Sequence, residues 1–181
     1  IKIVVVSLVV EDVWIEGDGE IFEKELMAIA DYIIDNRLWN EVTISPFEET
    51  IGKPNKEEHI YPCGNPMYVF DAKGYIYTCV RFVDYSLRSK PPRIIGTIQT
   101  GIDNNKLRPL LSFDRESCYP EKCLNCEIES CCRWCPAENY DASTSGTIFQ
   151  RTTTVCQLHK ANVRANNYFW NKIKYIEDNE R

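Results

Sequence analysis

The residues best equipped for chemistry are the nine cysteines, seven of which fall between Cys118 and Cys156. The densest group is Cys123-Leu124-Asn125-Cys126, followed after five residues by Cys132-Arg133-Trp134-Cys135. A CxxC loop lets two thiolates point at one metal, with the intervening amides turned toward the sulfurs. Two close pairs could make one four-cysteine site, although the spacer is short beside those of zinc ribbons. Cys63 and Cys79 lie upstream and Cys156 opens the last predicted helix, so nine cysteines could supply two four-ligand sites and leave one over. Three uses compete: iron–sulfur ligation, structural zinc and disulfides. Disulfides need an oxidising compartment, and an odd count leaves one thiol without a mate. With no secretory signal, CxxC pairs read first as metal ligands.

Elements must position these thiols, and hydrophobic periodicity predicts them. Residues 2–10 read as a fully buried strand, because the run is β-branched and nearly continuous. After a turn at Gly17-Asp18-Gly19, residues 20–37 read as a helix with Phe22, Leu26, Ile29 and Ile33 at helical spacing. Residues 41–45 read as a short strand, which makes a βαβ unit. One such unit cannot bury both sheet faces, so it is expected to be the last piece of a larger parallel α/β domain. Residues 46–62, with Pro46, Gly52, Pro54 and Pro62, have linker chemistry. Met67–Asp71 and Tyr75–Cys79 read as a β-hairpin around Ala72-Lys73-Gly74, and Ile94–Gln99 as a further strand. Residues 115–150 are expected to be loop-like and shaped by metal. Residues 154–177 read as an amphipathic helix, with Val155, Leu158, Ala161, Ala165, Phe169, Ile173 and Ile176 on one stripe. The expected class is therefore α+β, with boundaries at 1–50, 51–62 and 63–181.

Composition narrows the partners. The net charge is −6 and no long basic run occurs, which argues against a nucleic-acid surface. No apolar run approaches the ~20 residues that span a bilayer. The opening Ile1–Val10 run lacks a basic flank and a cleavage site, so a cytoplasmic location is expected. The chain begins at Ile1 rather than Met, which suggests a segment of something longer or a processed chain.

The cysteine spacing resembles a known family. Cys63, then Gly74-x4-Cys79, then Cys123-x2-Cys126-x5-Cys132-x2-Cys135, then Cys156, is similar to the SPASM signature. SPASM domains are C-terminal extensions of radical S-adenosylmethionine enzymes, including peptide maturases and anaerobic sulfatase-maturing enzymes. Phe70-Asp71-Ala72-Lys73-Gly74-Tyr75-Ile76-Tyr77-Thr78-Cys79, Ile95-Gly96-Thr97-Ile98, Cys135-Pro136-Ala137-Glu138-Asn139-Tyr140 and Cys156-Gln157-Leu158-His159-Lys160-Ala161 add to the likeness. It is greatest to maturases of cysteine-repeat peptides made on the ribosome and covers roughly residues 60–176. Residues 1–50 resemble the last β/α portion of the partial barrel that precedes such domains.

The resemblance implies two auxiliary [4Fe–4S] clusters. Cys63, Cys79 and Cys135 would hold the first, and Cys123, Cys126, Cys132 and Cys156 the second. Cys118, Cys131, His59 or an open position remains for the fourth ligand of the first cluster. The family usually spaces its last two CxxC-region cysteines by three residues. Either Cys132-x2-Cys135 or Cys131-x3-Cys135 therefore applies here, and Cys118 and Cys131 stand between ligand and spare thiol. His159, three residues after Cys156, could hydrogen-bond a ligand or simply sit at the surface. Free cysteines also serve as small buried hydrophobes, and Tyr168, Phe169 and Trp170 read as core. The implied partners are a precursor peptide and the rest of the barrel. The CxxxCxxC that holds the S-adenosylmethionine-cleaving cluster does not occur here. No catalytic residue is assigned, and S-adenosylmethionine is expected only with the full-length enzyme. The alternative reading is a zinc-stabilised binding or scaffold module without redox role.

Overall fold

The structure is a computed structural model that describes residues 2–9, 13–54, 67–83, 90–112, 120–132 and 135–180. It mixes helix with small sheets, as an α+β chain does. The chain forms two compact units. The first draws on residues within 1–56, 126–132 and 153–181, the second on residues within 57–125 and 133–152.

The first unit begins with strand β1, Ile3–Val4, helix α1, Asp18–Asp35, and strand β2, Thr43–Ile44. β1 and β2 pair in parallel, Ile3 opposite Thr43 and Val4 opposite Ile44, which gives the expected βαβ unit. Gly17, at φ 95°, makes the turn into α1. The run 2–9 differs from expectation. It is not a fully buried strand: only two residues are strand, and Ile3, Val5 and Val9 are exposed. Its β-branched residues have the right propensity, but among the described residues β2 is its one paired neighbour. Residues 45–47 form a short 3₁₀ turn, and Pro46 and Phe47 are buried, so this part of the expected linker belongs to the core.

The long helix α5, Cys156–Asn179, packs along α1. Leu26, Ala30, Ile33 and Ile34 of α1 share one buried cluster with Phe47 and with Ala165, Phe169 and Ile173 of α5. Phe47 stacks on Phe169 with ring centroids 4.6 Å apart. The apolar stripe predicted for α5 is thus its buried face. On α1 the face is rotated toward Ala30 and Ile34, leaving Ile29 40% exposed.

The second unit is led by a four-stranded antiparallel sheet, β3 Val69–Phe70, β4 Tyr75–Tyr77, β5 Gly96–Thr97 and β6 Gly101–Ile102. β3 and β4 form the expected hairpin, with Phe70 opposite Ile76. Asp71 organises its turn by accepting from Lys73 N and Tyr75 N, each at 2.9 Å, while Gly74 takes φ 81°. β5 and β6 approach so closely that a Cβ on Gly96 would lie 2.2 Å from the Gly101 carbonyl oxygen. Among the described residues of this unit, three α-helices follow: α2 Asn104–Leu111, α3 Glu121–Leu124 and α4 Pro136–Ala142. Asp103 caps α2 by accepting from Asn105 N at 2.9 Å. Leu107 of α2 closes the sheet with Ile76 and Ile95. Asn139 of α4 is wholly buried; its amide donates to Ile148 O at 2.9 Å and accepts from Thr152 N at 3.0 Å. The cysteine-dense stretch is therefore more helical than expected. Among the described residues, no helix is long and apolar enough to cross a membrane.

Phe169→Ala is expected to cost about 3–5 kcal/mol in urea unfolding, the range for a buried aromatic. Tyr175→Ala on the same helix, at a side chain 70% exposed, should stay within about 0.5 kcal/mol.

Candidate metal centre

In the second unit, two predicted ligands open two packed helical segments. Cys79 directly precedes a 3₁₀ turn, Val80–Phe82, and Cys135 directly precedes α4. The turn packs on α4, with the Phe82 ring meeting the Tyr140 ring edge-on at 5.7 Å. Pro136 at the first position of α4 has the backbone angle a helix start requires. Arg93 lies against the same two rings, 6.0 Å from Phe82 and 5.8 Å from Tyr140. The Tyr140 hydroxyl donates to Pro91 O at 2.7 Å.

Cys135 is the buried cysteine of the described set, and burial pushes its thiol up to about 11. Nearby Glu138 adds to this rise. The amides of Ala137 and Glu138 and the charge of Arg81 act the other way, favouring the thiolate. Burial also raises the Glu138 carboxyl, against the pull of Arg81 and Arg151. Thr78, beside Cys79, is fully buried, and its hydroxyl has no hydrogen-bond partner among the described residues. Cys123 sits half-buried in α3, whose first turn includes the Cys123 N to Pro120 O bond of 2.8 Å.

In the first unit, Cys126, Cys131 and Cys132 share one tight stretch. Cys126 O accepts from Glu129 N at 3.0 Å, which starts a 3₁₀ turn, Glu129–Cys131. The Cys131 thiol donates to Ile128 O at 3.4 Å. Burial raises Cys131, and the adjacent Cys132 and Cys126 raise it further. Removing protons from these sulfurs concentrates negative charge that a bound cation would neutralise. Ion pairs tie this stretch to the helices. Arg164 of α5 binds Glu127 at 2.9 Å and Glu23 of α1 at 2.5 Å, and Lys160 reaches Glu127 at 3.7 Å. Cys156 is the first residue of α5, and half-buried His159 lies in the same turn, its backbone N–H donating to Val155 O at 3.0 Å. Gln157 accepts from Gly19 N at 3.2 Å, so the start of α5 is seated on the start of α1.

The chemistry of this donor set fits a thiolate-seeking metal. The geometry brings the thiols together only in part: among the described residues, no group of three or more His, Cys, Asp or Glu side chains is placed to hold a metal ion. Cys63, Cys118 and His59 lie outside the described residues. Sequence reasoning missed Arg81 and Glu138 as neighbours of Cys135 and Arg151 as a neighbour of Glu138. The Cys-Pro-x-Glu run carried a signal for the helix start but none for the arginines. No protein-family model, curated protein or solved structure matches this chain.

With metal removed, Cys135 is expected to alkylate with iodoacetamide at least ~tenfold more slowly than half-buried Cys123, since the thiolate is the nucleophile. Peptide mass spectrometry over time measures this, and equal rates would contradict the buried sulfur.

Proposed function

We propose that this chain is an auxiliary iron–sulfur domain of a radical S-adenosylmethionine enzyme that modifies a ribosomally made peptide. The observation that carries the proposal is the cysteine spacing from Cys63 to Cys156 together with its hairpin, Gly74-x4-Cys79. The positive φ at Gly74, the pairing of β3 with β4, and the packing of the turn after Cys79 on the helix after Cys135 support it. The amides near the Cys135 sulfur support it too, since hydrogen bonding to sulfur tunes cluster potential. The parallel βαβ unit with its exposed β-branched run is in keeping with the end of a larger α/β barrel.

Thiolate-held clusters exchange single electrons. In this proposal the chain supplies electron relay, peptide binding, or both. Radical initiation belongs to a CxxxCxxC segment that this sequence does not contain. Arg81 contributes positive charge near the buried Cys135 sulfur, and Pro136 fixes the backbone that presents it. The second reading, a zinc-stabilised scaffold, rests on the same thiols.

Anaerobic reconstitution with ferrous iron and sulfide is expected to load about eight irons and eight labile sulfides per chain, as two four-iron clusters require. Cys135→Ala should lower both by about half. Stoichiometric zinc in protein handled anaerobically throughout, with no labile sulfide, would favour the scaffold and end the iron–sulfur reading.

A further inference from the structure

The first unit contains a cavity that the cysteine chemistry does not use. It measures about 290 Å³ and is walled by Trp39, Phe47, Phe169 and Trp170, with Glu48 and Glu49 among its lining residues. Its volume lies near the lower end for ligand pockets, which suits a single compact group. Two of its features are independent of one another.

The first is the aromatic wall. Phe47 and Phe169 are stacked and buried, while the Trp170 indole N–H donates to Phe47 O at 3.0 Å, which fixes that ring. Trp39 has a different standing. Its indole nitrogen is buried without a hydrogen-bond partner among the described residues. A phenylalanine or leucine would line the cavity without stranding a donor. What the indole adds is the aromatic face with the strongest attraction for a cation.

The second is charge. Glu48 and Glu49 are exposed side by side. Lys53 pairs with Glu49 at 3.6 Å, with both side chains about two-thirds exposed. Glu48 has no ion-pair partner among the described residues. The lining thus combines four aromatic side chains with two carboxylates, a composition complementary to an organic cation and unfavourable to an anion.

We propose that this cavity binds a compact organic cation, an alkylated ammonium or a guanidinium, held between the indoles of Trp39 and Trp170 and countered by Glu48 and Glu49. The group can arrive as a free small molecule or as the end of a basic peptide side chain. This site stands apart from the cysteine chemistry and survives if the iron–sulfur reading fails.

The test is an NMR titration of the full chain that follows the indole N–H signals of Trp39 and Trp170. The probes are choline, its neutral isostere 3,3-dimethyl-1-butanol, and blocked arginine amide. Choline or the arginine amide is expected to shift both signals saturably, and the tighter of the two identifies the source. The neutral isostere should bind at least ~tenfold more weakly. Trp39→Leu should weaken cation binding about tenfold, while Trp39→Phe keeps part of it. The exposed double change Glu48→Gln with Glu49→Gln should weaken binding and flatten its salt dependence without touching the core. Equal binding of the isostere, unchanged binding in the double variant, or no saturable shift with either cation would overturn the proposal.

Discussion

Ala30 of α1 and Ala165 of α5 are wholly buried within one cluster, and the contact between these two helices is the one the rest of the first unit relies on. Small side chains let helix surfaces approach, and Leu26, Ile33, Phe169 and Ile173 fill the space around them. Burying a Leu or Phe side chain contributes about 1.5–3 kcal/mol, so this cluster outweighs the unit's exposed ion pairs. Holding α1 and α5 together fixes where α5 begins, and α5 begins at Cys156.

The same helix pair reaches the cysteine stretch through charge. Arg164 binds carboxylates from both α1 and the 126–132 stretch. Each such pair is worth roughly 0.2–1 kcal/mol, so the clamp sets position more than stability. Cys126, Cys131 and Cys132 lie in a segment with short 3₁₀ geometry and no buried side chains in that turn. Within this stretch Ile128 is the buried anchor, and the turn that carries Cys131 buries no side chain of its own. In the proposed reading a bound metal would add stabilising energy there, because ligand deprotonation and folding are coupled. In the second unit the balance differs. Asn139, Ile148 and the Phe82–Tyr140 contact hold α4 in place, and Cys135 inherits a position the fold already defines.

Much of this was legible in the sequence. The 3.6-residue period of Leu158, Ala161, Ala165 and Phe169 gave α5 its buried face, and Lys73-Gly74 gave the hairpin turn. Ile3–Val6 misled, because β-branched composition states a preference for strand but cannot say what covers it. Phe47 was hidden inside a proline-marked linker, since a single aromatic carries no period. α2 was missed because Pro109 interrupts a short amphipathic pattern. The setting of Cys135 depends on Arg81, which lies far away along the chain. Spacing predicted thiols near one another, but burial and charge around each thiol come only from tertiary packing.

In the proposed reading, metal completes the 126–132 stretch, which Arg164 and Glu127 tie to α5. Hydrogen exchange on the full chain, before and after anaerobic reconstitution with iron and sulfide, tests it most directly. The account predicts that amides of residues 126–132 slow by at least about tenfold on reconstitution, while α4 and the centres of α1 and α5 change little. Unchanged exchange across 126–132, with iron and sulfide failing to bind, would contradict it.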